Sequence, residues 1–391
     1  MEGRKVRKRK YRRLRKRGIV TILGFIVLGY LIAANLKDSD TVSRNESDFN
    51  KETQNGNKPS EARQQEKPKD KPVVKDKKET TIKISAAGDF TLGRDESFPY
   101  RHTFDYEADK NGLAFFVKNV SNIFENDDLT TVNLETTLTK ATQKAAKTFR
   151  FKGDPAYAKI LTLGSIEAVN LANNHTYDYL ERGYEDTMDN LEKHNVSYFG
   201  YNHHYVTTIK GIKVGALGYE GWEDTKKMRK QIRRGIKDLK QQGAEIILVH
   251  FHWGVEKSPV PNKTQQTLAR YTIDEGADLI LGHHPHVVQG IEEYKGKFIV
   301  YSLGNFMFGG NKNPSDKDTF VFQQTFHLKG GELTDKKDIR VLPFSISSVA
   351  SRNNYQPTPL QGSEAERVTN KIVSLSARIT DSNWLVYQSE Q

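Results

Sequence analysis

Side chains of metal-binding type fall in this 391-residue chain in five short clusters. They are Gly88-Asp89, Asn133-Leu134-Glu135, Asn173-Asn174-His175, His250-Phe251-His252-Trp253-Gly254 and Gly282-His283-His284-Pro285-His286. Six of the eleven histidines lie in the last three. Carboxylate, amide oxygen and neutral imidazole together suit hard or borderline divalent ions. His250 and His252 are two residues apart, as are His284 and His286, so each pair faces one way if its backbone is extended. Each residue alone has an ordinary structural use. An Asp after a strand caps a turn, adjacent Asn residues make one, and a histidine on an apolar strand can be a satisfied core group. The joint occurrence is what points to a metal. Arg94 and Arg150 are cations available to an anionic substrate, or to solvated ion pairs.

The elements around the clusters predict that they meet. Apolar stretches at Thr81–Ala87, Leu129–Leu134, Ala168–Leu171, Glu245–Phe251 and Leu279–Leu281 read as strands, each running into one cluster, and Lys297–Tyr301 reads as another. Val206–Ile209 and Val214–Leu217 form a hairpin around Lys210-Gly211. Helical stretches separate most of the others, the clearest being Gln265–Asp274 before the stop signal Gly276. This is an α/β order, and open α/β sheets gather their sites at the carboxyl ends of strands. After Phe306 the pattern turns β-rich (Phe320–Leu328, Ile339–Ile346). It closes on an amphipathic helix, Glu364–Ile379, with Ala365, Val368, Ile372, Leu375 and Ile379 on one face.

Charge and composition narrow the class further. The net charge of +11 is concentrated in residues 1–17, where eleven Lys or Arg oppose Glu2 and leave about +1 for everything after them. A near-neutral main domain gives no reason to expect nucleic acid. The absence of cysteine excludes disulfides, Cys-ligated zinc and thiol nucleophiles. Residues 19–36 form an uncharged, mostly apolar run of 18 behind a basic segment, residues 1–18. That is long enough to span a bilayer, and the preceding cations predict a cytoplasmic N-terminus. No small-x-small pattern precedes Lys37, so an uncleaved signal-anchor is expected in the cell membrane, with the main domain extracellular. Residues 37–80 are rich in Lys, Asp, Glu, Asn and Gln, with Phe49 their sole aromatic, and read as a disordered linker. Its random-coil span is on the order of 35–40 Å. Residues 81–391 then form the extracytoplasmic domain.

Six ordered motifs make the domain recognisable. They are Gly88-Asp89-Phe90-Thr91-Leu92-Gly93-Arg94, Asn133-Leu134-Glu135-Thr136, Leu171-Ala172-Asn173-Asn174-His175, His252-Trp253-Gly254 with Glu256, Gly282-His283-His284-Pro285-His286, and Tyr301-Ser302-Leu303-Gly304-Asn305-Phe306. Together they resemble the CapA (PgsA) poly-γ-glutamate capsule biosynthesis family, a branch of the calcineurin-like metallophosphatases. The resemblance implies a four-layer α-β-β-α sandwich of metallophosphatase type. It also implies one or two divalent ions (Mn, Zn or Fe) held by Asp89, Glu135, Asn174, His252, His284 and His286. His175 becomes the catalytic partner at the leaving group or transition state, with His250 and His283 behind the ligands. Metallophosphatases begin with Asp-x-His where this chain has Thr91, and carry a Gly-Asp frame where it has Asn133-Leu134-Glu135.

The implied function is a membrane-anchored component of poly-γ-glutamate capsule biosynthesis that assists polymer export, assembly or handling. The alternative is a metal-dependent hydrolase or phosphoesterase acting on capsule polymer, precursor or envelope phosphate. No G-x-x-x-x-G-K-[ST] nucleotide loop is present; the nearest stretch, Gly290 to Lys297, has the wrong spacing and runs into Phe298. ATP-dependent ligation is therefore expected of partner capsule synthase subunits, the other partners being the polymer and the membrane.

Overall fold

Strands that are apolar on both faces have to lie between layers. The computed structural model describes residues 78–381 and 383–389, and β1 (Glu79–Thr91) has this pattern. Its Ile82, Ile84 and Ala86 enter one apolar layer, Ala87 and Phe90 another. In a nine-stranded sheet, β1 pairs in parallel with β2 (Leu129–Leu134), followed by β3 (Ala168–Asn170) and β4 (Ser197–Phe199). A second sheet has six strands: β5 (Tyr205–Ile209), β6 (Ile212–Glu220), β7 (Ile246–His252), β8 (Leu279–His283), β9 (Ile291–Tyr294) and β10 (Lys297–Val300). Here β6, β7, β8 and β10 run parallel, with β5 and β9 antiparallel at the edges. The chain then returns to the first sheet. β11 (Asn305–Phe308) lies parallel to the end of β1, β12 (Asp318–Lys329) runs antiparallel along its start, and β13 (Ile339–Ser345) pairs with β12.

The packing is helix, sheet, sheet, helix. Ile84, Leu248, Leu281, Phe298 and Phe322 fill the layer between the sheets. Helices α1 (Phe104–Asn111), α2 (Ala158–Leu163) and α3 (Leu180–Lys193) cover the outer face of the first sheet through Phe104, Ile160, Leu161 and Leu191. On the second sheet the cover is α4 (Lys226–Gln241) and α5 (Lys263–Glu275), through Ile232, Ile236, Leu239, Leu268 and Ile273. The last helix, α6 (Gly362–Ser376), is different. Its Val368, Ile372 and Leu375 enter the inter-sheet layer, where it packs on β9 of one sheet and β13 of the other.

The expected elements are present with shifted ends. β1 continues to Thr91, which puts Asp89 within the strand. The helix expected at Gln265–Asp274 is α5, opened by a reciprocal Asn262–Gln265 capping box and ended by Gly276 at φ 110°. Helix α6 stops three residues short of Ile379, which packs against the outer layer of the second sheet instead. The local sequence pattern marks neither β4, β9 and β11 nor the small sheet of Arg94–Asp95, Phe151–Gly153 and Thr137–Leu138. The basic segment, the span at residues 19–36 and the linker to residue 77 lie outside the described residues. Among the described residues, no helix is long and apolar enough to cross a membrane.

Candidate metal centre

Five strands deliver their terminal polar groups to one buried point. Asp89 comes from β1, Glu135 from the residue after β2, and Asn174 and His175 from the turn after β3; His252 ends β7, and His284 and His286 follow β8. The chain returning from the second sheet can join β1 there because Gly88 has no side chain: a Cβ on it would lie 2.0 Å from the carbonyl oxygen of Gly304, just before β11. That close approach lets the Asp89 N–H donate to the Gly304 carbonyl at 2.9 Å. Beyond β8 the backbone turns through left-handed conformations at His284 (φ 93°) and His286 (φ 56°). Such conformations cost on the order of 1–3 kcal/mol each and persist where surrounding structure enforces them.

The donor atoms lie within reach of shared ions. Nε2 of His252 is 3.1 Å from Nδ1 of His284, 2.7 Å from Oδ1 of Asn174 and 3.5 Å from Oε1 of Glu135. His286 is 3.3 Å from Asp89 through Nδ1 and 3.8 Å from Glu135 through Nε2. Glu135, His252 and His284 form one set of ligand atoms within 4.8 Å of one another, and Asp89, Glu135 and His286 form a second. Glu135 belongs to both. A third set joins Glu256 to His284 and His286, and Glu256 is exposed.

Electrostatics tests whether a cation fits. Both carboxylate oxygens of Glu135 are buried and accept no hydrogen bond. An orphaned buried carboxylate costs several kcal/mol unless something positive compensates it. Burial, followed by the charge of Asp89, accordingly pushes Glu135 well above the usual carboxylate range. Burial also holds His252 well below its ordinary value and, with the charge of His286, brings His284 down to about 4. Their nitrogens therefore keep free lone pairs. At His286 burial is outweighed by Glu135 and Asp89, which raise it to about 9. Burial of Asp89 is likewise outweighed, by its contacts with His283 and His286, which hold its carboxyl low. Two buried carboxylates beside the neutral His252 and His284, with His286 able to exchange its proton for a metal, fit a divalent ion.

A buried polar frame holds the ligands. Asn133 donates to Oδ1 of Asp89 at 2.9 Å and lies 3.3 Å from Nδ1 of His252, while its own oxygen accepts from Asn170 and Asn173. Behind Asp89 runs a row from Thr131 to His250 (3.0 Å), to His283 (2.9 Å), to Asp89 (3.3 Å, off the ring N–H direction). Asn305 holds Nδ1 of His286 at 2.9 Å. The Thr91 hydroxyl donates to the Glu135 carbonyl, so it braces the loop. Sequence reading left Asn133 and Asn305 without roles, although both stand in the quoted motifs.

His175 sits beside the cluster, with Nε2 3.9 Å from Glu135 and Nδ1 2.6 Å from Asp178. Asp178 is fixed by Lys147 at 2.7 Å and by the Phe151 N–H. This acid is legible only as the third residue after His175. A cleft of about 270 Å³ opens next to His175 and His286, lined by Phe149, Phe151, Lys257 and Phe308 among others. Trp222 stands edge-on to His284 at 4.7 Å. The Arg94 guanidinium is bonded to Asp105 and to three backbone carbonyls, and Arg150 reaches the Ala145 carbonyl; neither lines the cleft.

Two sheets that gather acid, amide and imidazole groups between them define an α/β sandwich protein with a ligand cluster of metal-binding type. The chain belongs to the family of the bacterial capsule synthesis protein PGA_cap, whose family model matches residues 83–310. All six candidate ligands and His175 fall within that match. The chain is 28% identical over 305 residues to the capsule biosynthesis protein CapA of Bacillus anthracis, covering 71% of this chain and 72% of that one. It is 30% identical over 280 residues to the PGA biosynthesis protein CapA of Bacillus subtilis (strain 168), covering 66% and 70%. Among solved structures, a novel phosphatase from Mycoplasma pneumoniae aligns with TM-score 0.42 and 14% identity, covering 68% of this chain and 94% of that one.

Proposed function

We propose that this chain is a membrane-anchored, outward-facing component of poly-γ-glutamate capsule synthesis whose metallophosphatase-like site holds one or two divalent ions. The observation that carries the metal is the donorless, buried Glu135 shared by two ligand sets. Capsule synthesis rests on the family membership and on the two CapA relatives. Asp89, Glu135, Asn174, His252, His284 and His286 would hold the ions, which supply Lewis-acid polarisation of an anionic oxygen when bound. The chain's own groups do the rest. The cleft admits a ligand to the His175 side, Asn133 and Asn305 fix the ligand side chains, and Asp178 orients the His175 ring. Its role is in export, assembly or handling of polymer made by partner subunits.

One observation favours the hydrolase reading, in which the same centre cleaves polymer, precursor or envelope phosphate. The 2.6 Å His175–Asp178 contact, braced by Lys147, orients an imidazole beside a ligand cluster, as general acid–base catalysis requires. Metal analysis of the full chain, with His284→Ala and His286→Ala as controls, tests the centre. Surface polymer measured in the same strains tests the pathway. A wild-type chain that stays metal-free with manganese, zinc or iron supplied ends this reading.

A further inference from the structure

Residues 78–391 carry no net charge, yet α4 alone carries +7, from eight Lys or Arg against Asp238. The remainder of the domain therefore carries −7. The basic face concealed by the near-neutral total is continuous. Lys226, Lys230, Arg233, Lys237 and Lys240 follow one another at intervals of four, three, four and three residues and are all exposed. Arg229, Arg233 and Arg234 pair with Asp224, Glu275 and Asp238. Lys226, Lys227, Lys230 and Lys237 have no ion-pair partner among the described residues.

This composition works against the helix. Lys226/Lys230, Lys230/Arg234 and Arg233/Lys237 are like-charged i,i+4 pairs, each costing roughly 0.2–0.5 kcal/mol. Three cations in the first turn also oppose the helix dipole. Folding needs only the buried Ile232, Ile236 and Leu239 face. A solvated face would serve as well with mixed signs.

We infer that the outer face of α4 is a track for an anionic polymer, and that the polymer is the poly-γ-glutamate of the capsule; this rests on the capsule reading above. The repeat fits. A γ-glutamyl chain presents one carboxylate every five backbone bonds, roughly 6 Å when extended, and the helix presents cations about every 5.4 Å turn. The position fits as well. Trp222, exposed and edge-on to the ligand His284, is three residues before the N-cap Thr225, so the track starts a short loop away from the metal centre. An anionic bilayer is the weaker match, because the apolar side chains of α4 are buried against the second sheet and none is left to insert.

The test uses the full chain in detergent micelles with fluorescent poly-γ-glutamate, read by anisotropy between about 50 and 200 mM salt. Replacing Lys226, Lys227, Lys230 and Lys237 by Glu should weaken binding at least about tenfold and flatten its salt dependence. Metal content should stay unchanged, because none of the four side chains is buried or paired. The melting temperature should not fall, because Glu relieves the Lys230/Arg234 and Arg233/Lys237 repulsions and suits the first turn. Replacement by Gln should give a smaller loss. Unchanged polymer binding by the Glu variant overturns the inference. So does a wild-type chain that ignores the polymer, or one whose four lysines serve only vesicles of anionic lipid. Metal content of the His284 and His286 variants reports on the capsule-site reading and polymer binding on this one, so either can fail alone.

Discussion

Nε2 of His252 and Nδ1 of His284 lie 3.1 Å apart at the ends of two adjacent parallel strands, with burial holding both rings neutral. Two ring nitrogens so close must share the N–H hydrogen of one neutral ring or a cation. Removing either imidazole should release the bound metal, measured by mass spectrometry on the purified chain. A ligand that binds only the folded state at about 100 times its Kd contributes about 2.7 kcal/mol. Each His→Ala change should therefore lower the melting temperature by several degrees, and chelator should lower the wild type by a similar amount.

Glu135→Gln should have opposite effects on stability in the two conditions. With metal supplied it removes a charged ligand and destabilises. With chelator it removes a buried carboxylate that has no donor, so the variant should melt above wild type. Melting curves with and without chelator decide this. A variant that melts lower in both would show that Glu135 is satisfied by the protein alone.

His175→Ala separates catalysis from scaffolding. The ring touches Asp178 and stands 3.9 Å from Glu135, so its loss should leave metal content nearly intact. Loss of surface polymer with metal retained would favour the hydrolase. Normal polymer would leave the handling role standing.

Asp127, far from the metal centre, gives a pH prediction. Burial pushes its carboxyl up to about 7, with Ser85 and Thr130 opposing and Glu167 and Asp128 adding to the rise. The folded state then binds more protons than the unfolded between about pH 4 and 7, so stability falls as pH rises through that window. Asp127→Asn should remove this part of the slope and raise the melting temperature at pH 8 relative to wild type. Parallel slopes for the two proteins would refute the assignment.

The strands and their ligand-bearing ends were legible because apolar runs and polar stops are local signals. Strand ends depart from the local pattern where the site itself pulls the chain. β1 extends past Gly88 because its end pairs with β2 on one side and β11 on the other, and the β11 contact lies more than two hundred residues away in sequence. Nothing local to Asn133 gives it a role, because its work, holding Asp89 and His252, is done across both sheets. The α4 stripe was hidden by arithmetic: a whole-domain charge near zero says nothing of how the signs are distributed.

The clasp formed by α6 bears on how this domain can be divided. The family match ends at residue 310, before β12, which backs eight residues of β1, and before α6, which spans the seam between the sheets. Within that seam the Ser376 hydroxyl accepts from the Ile291 N–H at 2.8 Å, and Arg367 grips Asp318 with two bonds. A fragment cut at residue 310 would keep every ligand and lose the part that holds the two ligand-bearing halves in register. The matched segment is thus not a folding unit by itself, and a cut between β13 and α6 that removes α6 should disable the centre without touching any residue in it.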